Sequence, residues 1–370
     1  MRSPLVKTRQ LKIGPLDVIL ATTPLRLALI VGVALALSLT VFAPRLWLLR
    51  SPAPGTFQWD RGTTYLRQCE APFRRDIEPA MRWRLLPPLV AKACGLTGQA
   101  PLILPWIGVI AATAYVAILF RRRLNDVRWV FGGTLLFAST SAVLVPCHWL
   151  GLNDGWIWLG LLAVAFGSAP WALPAACLLC PWIDERFIIA FPLAWVVSRS
   201  DRGEAWFSSR LRQGLWLVPY AATRLILSGQ EPEATTANFL TTTLPASVSW
   251  LPMAPLAWWM GLRAAWLPVA YAGATTHPRL RLIGFLALGS TLLVNAVLAV
   301  DLSRSVAAIC PVLLLGCWAY ARDNPATAPR RLLLLALANL LVPAAHVVHA
   351  KIDVIQPLPI EIIRLFYLPA

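Results

Sequence analysis

Four long apolar stretches, residues 27–43, 101–120, 282–300 and 332–343, are separated by short charged clusters. A helix needs about 20 mostly apolar residues to cross the hydrocarbon of a bilayer. A soluble chain of 370 residues has no use for so many blocks approaching that length. Composition agrees: 58% of the residues are hydrophobic and 14% charged, where ordinary soluble domains carry about a quarter charged residues. The blocks lack the period-two alternation of membrane strands. Many of the 18 Trp residues stand near block ends, where an indole is half wet. The sequence therefore predicts an all-α, polytopic transmembrane helical bundle, one integral membrane domain over residues 1–370.

Residues 1–24 hold Arg2, Lys7, Arg9 and Lys12 without an apolar core, so they read as a cytoplasmic N-terminal segment and not as a cleavable signal. The net charge of +16 is spread over short loop clusters and not along one basic stripe, which argues against nucleic acid as a partner and for the positive-inside rule. With the N-terminus inside, spans fall near 25–49, 101–120, 129–147, 156–167, 171–183, 186–198, 213–228, 250–271, 282–300, 305–321 and 332–349. That makes eleven crossings with the C-terminus outside. The inner loops then contain Arg121, Arg122, Arg123 and Arg128, then Arg199, Arg202, Arg210 and Arg212, then Arg279 and Arg281, then Arg322, Arg330 and Arg331. The segments between Trp156 and Ser198 are short and are expected to be re-entrant or shielded by neighbours, and Arg263 falls in mid-span. Residues 50–100 form a long first outer loop, in which Ile77–Leu86 is expected to lie on the membrane surface as an amphipathic helix.

Many of the remaining polar and ionisable residues collect at the outer ends of spans: Asp60 and Arg61, His148, Asn153 and Asp154, Asp184, Glu185 and Arg186, Arg224, Asp301 and Arg304, His346 and His349. Ionisable groups at the hydrocarbon boundary cost free energy unless paired or hydrated, so the set points to a polar cavity on one face. Asp60, in Trp59-Asp60-Arg61-Gly62, suits a general base or metal ligand; the competing reading is an Asx turn. Arg74, Arg75, Arg82 and Arg84 carry forked donors that suit a phosphate or pyrophosphate headgroup, or ordinary anionic membrane lipid. Asp301 and Arg304, three apart, meet on one helical face as an ion pair. His346 and His349 lack a third ligand and make a weak metal signal. Cys177 and Cys180 lie in an apolar helix and read as core residues.

This arrangement resembles the polytopic GT-C-type glycosyltransferases, which use polyprenyl-phosphate-linked sugars. The likeness rests on the uncleaved first span, the long first outer loop with Trp59-Asp60-Arg61 soon after it, and outer loops such as Asp184-Glu185-Arg186; Arg84-Leu85-Leu86-Pro87 and Asp301-Leu302-Ser303-Arg304 extend it. The resemblance implies sugar transfer at the outer face of a bacterial inner membrane, from a lipid-linked sugar donor. Asp60, or else Asp154, Asp184 or Glu185, would be catalytic. Arg61, Arg74, Arg75, Arg82, Arg84, His148, Asn153, Arg186, Arg224, Asp301 and Arg304 would bind substrate. A divalent cation, Mg or Mn, is compatible with that chemistry but not demanded by it. A transporter or flippase of an anionic or lipid-linked substrate, and a noncatalytic scaffold, remain the competing classes.

Overall fold

The computed structural model describes residues 24–45, 57–74, 76–77, 79–124, 126–202, 212–228, 241, 244–275, 278–298, 301–348 and 351–367. The first apolar block forms α1 (Pro24–Val41). Residues 57–93 then hold α2 (Phe57–Glu70), a helical turn at Pro79–Arg82 and α3 (Leu86–Ala93). A long rod, α4 (Ile103–Leu124), ends in Arg121, Arg122 and Arg123. Basic side chains there complement the negative end of the helix dipole.

Next come α5 (Val127–Ala138) and α6 (Ser141–His148), which bend by 49° where they meet. Asp126 starts α5 by accepting from the Arg128 amide at 2.8 Å, as an N-cap side chain does. Ser139 and Thr140 end it: their hydroxyls donate to the carbonyls of Leu136 and Phe137 at 2.9 and 2.8 Å, taking acceptors that the helix end leaves open. Four shorter helices follow, α7 (Asp154–Phe166), α8 (Ala172–Leu179), α9 (Arg186–Arg202) and α10 (Val218–Ser228).

A second broken rod comprises α11 (Ala254–Leu262) and α12 (Trp266–Thr275). Arg263 sits at the break with φ 51°. The chain continues through α13 (Pro278–Leu298), α14 (Leu302–Asp323) and α15 (Ala328–Leu341). It closes with an antiparallel hairpin, β1 (Ala345–Val348) and β2 (Lys351–Val354), and α16 (Leu358–Tyr367).

Asn339 of α15 joins the two breaks. It accepts from the Ala264 amide at 2.7 Å and donates to Leu262 O and Ser139 Oγ at 3.1 and 3.2 Å, and Arg263 donates to Ser139 O. Interrupted backbone inside an apolar bundle needs such internal partners. Elsewhere small residues allow close packing of α4 on α7: a β-carbon on Gly155 would overlap the backbone of Gly108 and Val109.

The fold is thus a helical bundle with a small hairpin. Among the described residues three helices, α1, α14 and the Ala100–Leu124 stretch that contains α4, are long and apolar enough to cross a membrane, or four if the α5–α6 pair is one span. Three of the expected crossings correspond to the short apolar segments Asp154–Phe166, Ala172–Trp182 and Arg186–Ser198. The helix in the expected 332–349 span stops at Leu341, because Ala345–Val348 pairs as a strand with Lys351–Val354. Residues 57–93 are largely helical and carry their own apolar cluster: Ile77 and Met81 are buried against Tyr65, Cys69, Ala91 and Leu102. Within the expected surface helix Ile77–Leu86, only Pro79–Arg82 forms a helical turn before α3, and Ile77, Met81 and Trp83 are buried in the protein. Cys177 and Cys180 are free and buried in the core.

Candidate functional site

Three aspartates stand at three helix starts. Asp154 is the first residue of α7, Asp184 lies two residues before α9, and Asp301 directly precedes α14. The positive end of each helix dipole favours a carboxylate at its start. Asp184 also accepts from the Arg186 amide at 2.9 Å, the N-cap bond that fixes the turn into α9.

Two arginines tie these carboxylates together. Arg186 sets Nε and Nη2 on the two Asp184 oxygens at 2.9 and 2.8 Å and reaches Asp154 Oδ1 with Nη2 at 2.6 Å. Arg304 lies 3.0 Å from Asp154, 2.8 Å from Asp301 and 3.7 Å from Asp184. All five side chains are at most 6% exposed. A third arginine, Arg84, enters from the turn before α3, with Nη2 3.0 Å from Asp184 Oδ2, and remains 22% exposed. Three carboxylates and three guanidiniums balance in formal charge, as a buried group of ions requires.

Burial alone would raise the Asp184 pKa; the attraction of Arg186, Arg84 and Arg304 and the Arg186 hydrogen bond outweigh it and hold the carboxyl below the usual range. The hairpin closes the far side: His346 Nε2 lies 3.7 Å from Asp301, the Val347 amide donates to Ser303 Oγ at 2.8 Å, and Trp149 packs edge-on to the His346 ring at 4.0 Å.

Arg84, Asp154 and Asp184 share a cavity of about 10 Å³ with Tyr65, Gln68 and Asn153, room for about one water. The turn into it uses Gly151 at φ 75°, where a β-carbon would also crowd Tyr65 at 3.0 Å. Beside the cavity, Glu185 accepts from Tyr220 Oη at 2.8 Å and Arg224 Nε at 2.9 Å. The Arg224 guanidinium in turn covers the Trp83 ring at 4.7 Å.

Of the residues the sequence singled out, Arg84, Asn153, Asp154, Asp184, Arg186, Asp301 and Arg304 come together, with Glu185 and Arg224 alongside. His148 does not join them. Its Nδ1 meets Ala43 O at 2.9 Å and its Nε2 lies 3.9 Å from Asp353, which pairs with Arg45; the end of α6 carries it to the hairpin side. Arg74 faces Asp76 at 2.6 Å in an exposed pair, and this contact holds the Asp76 carboxyl down to about 2. Arg82 donates to Ile77 O within its own turn. Asp60 and Arg61 belong to α2, so the Asx turn is replaced by helix; their side chains, and Arg75 and His349 altogether, lie outside the described residues.

Sequence reasoning missed Tyr65 and Gln68, whose helix was read as a loop, and Asp353, which pairs through a hairpin that no period announced. A search of protein-family models, characterised proteins and solved structures finds no match to this chain.

Proposed function

We propose that the protein is a membrane glycosyltransferase that moves a sugar from a polyprenyl-phosphate donor to an acceptor hydroxyl at the end of the bundle where α7, α9 and α14 begin. The observation that supports this reading is the mouth of the ionic cluster. Arg84 there is partly exposed and shares its carboxylate with Arg186, so a donor phosphate can take the Arg84 fork without leaving Asp184 unpaired.

The acceptor oxygen attacks the anomeric carbon as the bond from that carbon to the phosphate oxygen breaks. The electron pair departs on polyprenyl phosphate, whose growing charge faces Arg84. The acceptor proton passes to a carboxylate. Asp154 and Asp184 are buried and each engaged by more than one arginine, which makes them poor acceptors and leaves Asp60, or Glu185, which meets Arg224 but has its side chain 45% exposed. Arg186, Arg304 and Asp301 position the cluster and do not touch substrate. The cavity holds about one water, so entry of the donor requires the α2–α3 segment to move away from Asp154 and Asp184.

Arg121–Arg123 stand at the far end of α4, beside the end of α7. Under this proposal the protein sits in a bacterial inner membrane, and the positive-inside rule supports an outward-facing cluster and a cytoplasmic N-terminus. In this reading the short apolar helices add crossings to the three or four long ones, toward the eleven that the charges suggest. Among the described residues no three His, Cys, Asp or Glu side chains converge as ligands, and the buried carboxylates already face guanidiniums. That donor set does not fit a divalent cation, and no step is routed through one.

One observation favours transport as the second reading: Arg263, fully buried, interrupts the helix after Leu262 and donates to Ser139 O at the α5–α6 break, and transporters use such interrupted helices for midplane sites. The discriminating experiment follows a synthetic polyprenyl-phosphate sugar in proteoliposomes. Release of polyprenyl phosphate with transfer of the sugar supports the enzyme. Movement of intact donor between leaflets, without cleavage, supports the transporter.

A further inference from the structure

Adjoining the ionic cluster at Ile183, which lines both, the bundle carries an apolar groove of about 650 Å³, within the ~300–1,000 Å³ of small-molecule sites. Along α4 its lining runs from Leu104 to Arg122, a rise of roughly 27 Å that nearly equals the ~30 Å of bilayer hydrocarbon. The facing walls include the small side chains of Ala163 on α7 and Ala175 on α8, which leave the groove wide enough for a chain. Charge is confined to one end. Arg122 is the single charged residue of the lining, and its Nη1 lies 3.5 Å from Ser168 Oγ. At the opposite end the lining is Leu86 and Ile183.

We infer that the groove holds one hydrocarbon chain of an anionic phospholipid from the leaflet on the Arg121–Arg123 side, with its headgroup phosphate on Arg122. Charge sets this direction. A phosphate at the Arg122 end gains a forked donor, whereas at the Leu86 end the lining is apolar and the neighbouring Arg84 is already paired with Asp184. The sugar donor proposed above would carry its phosphate to Arg84, so the two lipids are separated by the arginine each one needs. The lipid site stands independently of the glycosyl-transfer reading.

The test uses the purified full-length protein in detergent, supplied with phosphatidylglycerol or phosphatidylcholine, with retained lipid counted by native mass spectrometry. The wild type should keep one phosphatidylglycerol in preference to phosphatidylcholine. Arg122→Gln, at an exposed position, should weaken that retention about fivefold, the effect of one basic residue at an anionic headgroup. Ala163→Leu with Ala175→Leu should reduce retention of both lipids by filling the groove, and Arg128→Gln, at an exposed arginine outside the lining, should leave it unchanged. Equal retention of the two lipids by the wild type, or unaltered retention in Arg122→Gln, would overturn the inference. So would dependence on Arg84 in place of Arg122, which would assign the groove to a lipid entering from the cluster end.

Discussion

Arg186 bonds Asp154 across 32 residues of sequence, with Nη2 2.6 Å from Oδ1, and so locks the start of α9 to the start of α7. The pair is almost wholly buried. Removing one partner of such a pair costs about 3–5 kcal/mol, because the other is left as an uncompensated charge. Arg186→Met strips Asp154 of one partner and Asp184 of its forked partner, so it should lower stability by that amount in a thermal or detergent-denaturation assay.

The pH response of that variant follows from Asp184. In the wild type its folded-state pKa is depressed, so the stability it contributes is present above the unfolded value near ~3.9 and is lost only as pH falls through the lower folded value. The unfolding midpoint should therefore owe no slope to Asp184 between about pH 5 and 8. In Arg186→Met burial is opposed by less positive charge, the folded pKa rises, and the sign reverses: stability relative to wild type should recover as pH falls. Denaturation midpoints at a series of pH values check both slopes.

Asp184, Arg186, Asp301 and Arg304 were legible in the sequence because ionisable residues between apolar blocks have few places to go. The i,i+3 spacing also announced the Asp301–Arg304 pair. What spacing could not supply was the third dimension. Nothing local brings Arg84 to Asp184 or Asp353 to Arg45; those contacts depend on a helical segment and a hairpin whose apolar patterns were too short to separate from loop or span. His148 was misplaced for the same reason, since the bend at Ser139–Thr140 turns α6 off the line of α5. The short helices α7, α8 and α9 looked like incomplete spans because their burial comes from neighbours and not from their own length.

Glu185 differs from the buried aspartates because its side chain is 45% exposed. Exposed pairs contribute about 0–1 kcal/mol, so Glu185→Gln should change stability by no more than that. If Glu185 accepts the acceptor proton, the same change should slow transfer by about a hundredfold or more. If Asp60 has that role, Asp60→Asn should give the large loss and Glu185→Gln a small one. Transfer rates of both variants at equal folded protein decide between them.

Gly155 tests the packing that sets the cluster in place. A larger residue must push α7 away from Gly108 and Val109 on α4, and overpacking of this kind costs about 1–3 kcal/mol. Gly155→Val should therefore lower the unfolding midpoint and displace the adjacent Asp154.

The most direct test of the account is the affinity of the purified protein for a short-chain polyprenyl phosphate, measured for the wild type and for Arg84→Gln. Loss of charge-assisted hydrogen bonds worth about 1.5–3 kcal/mol predicts roughly ten- to a hundredfold weaker binding by the variant, with its unfolding midpoint changed by less than that of Arg186→Met. Equal affinity of the two proteins would contradict the placement of the donor phosphate at Arg84.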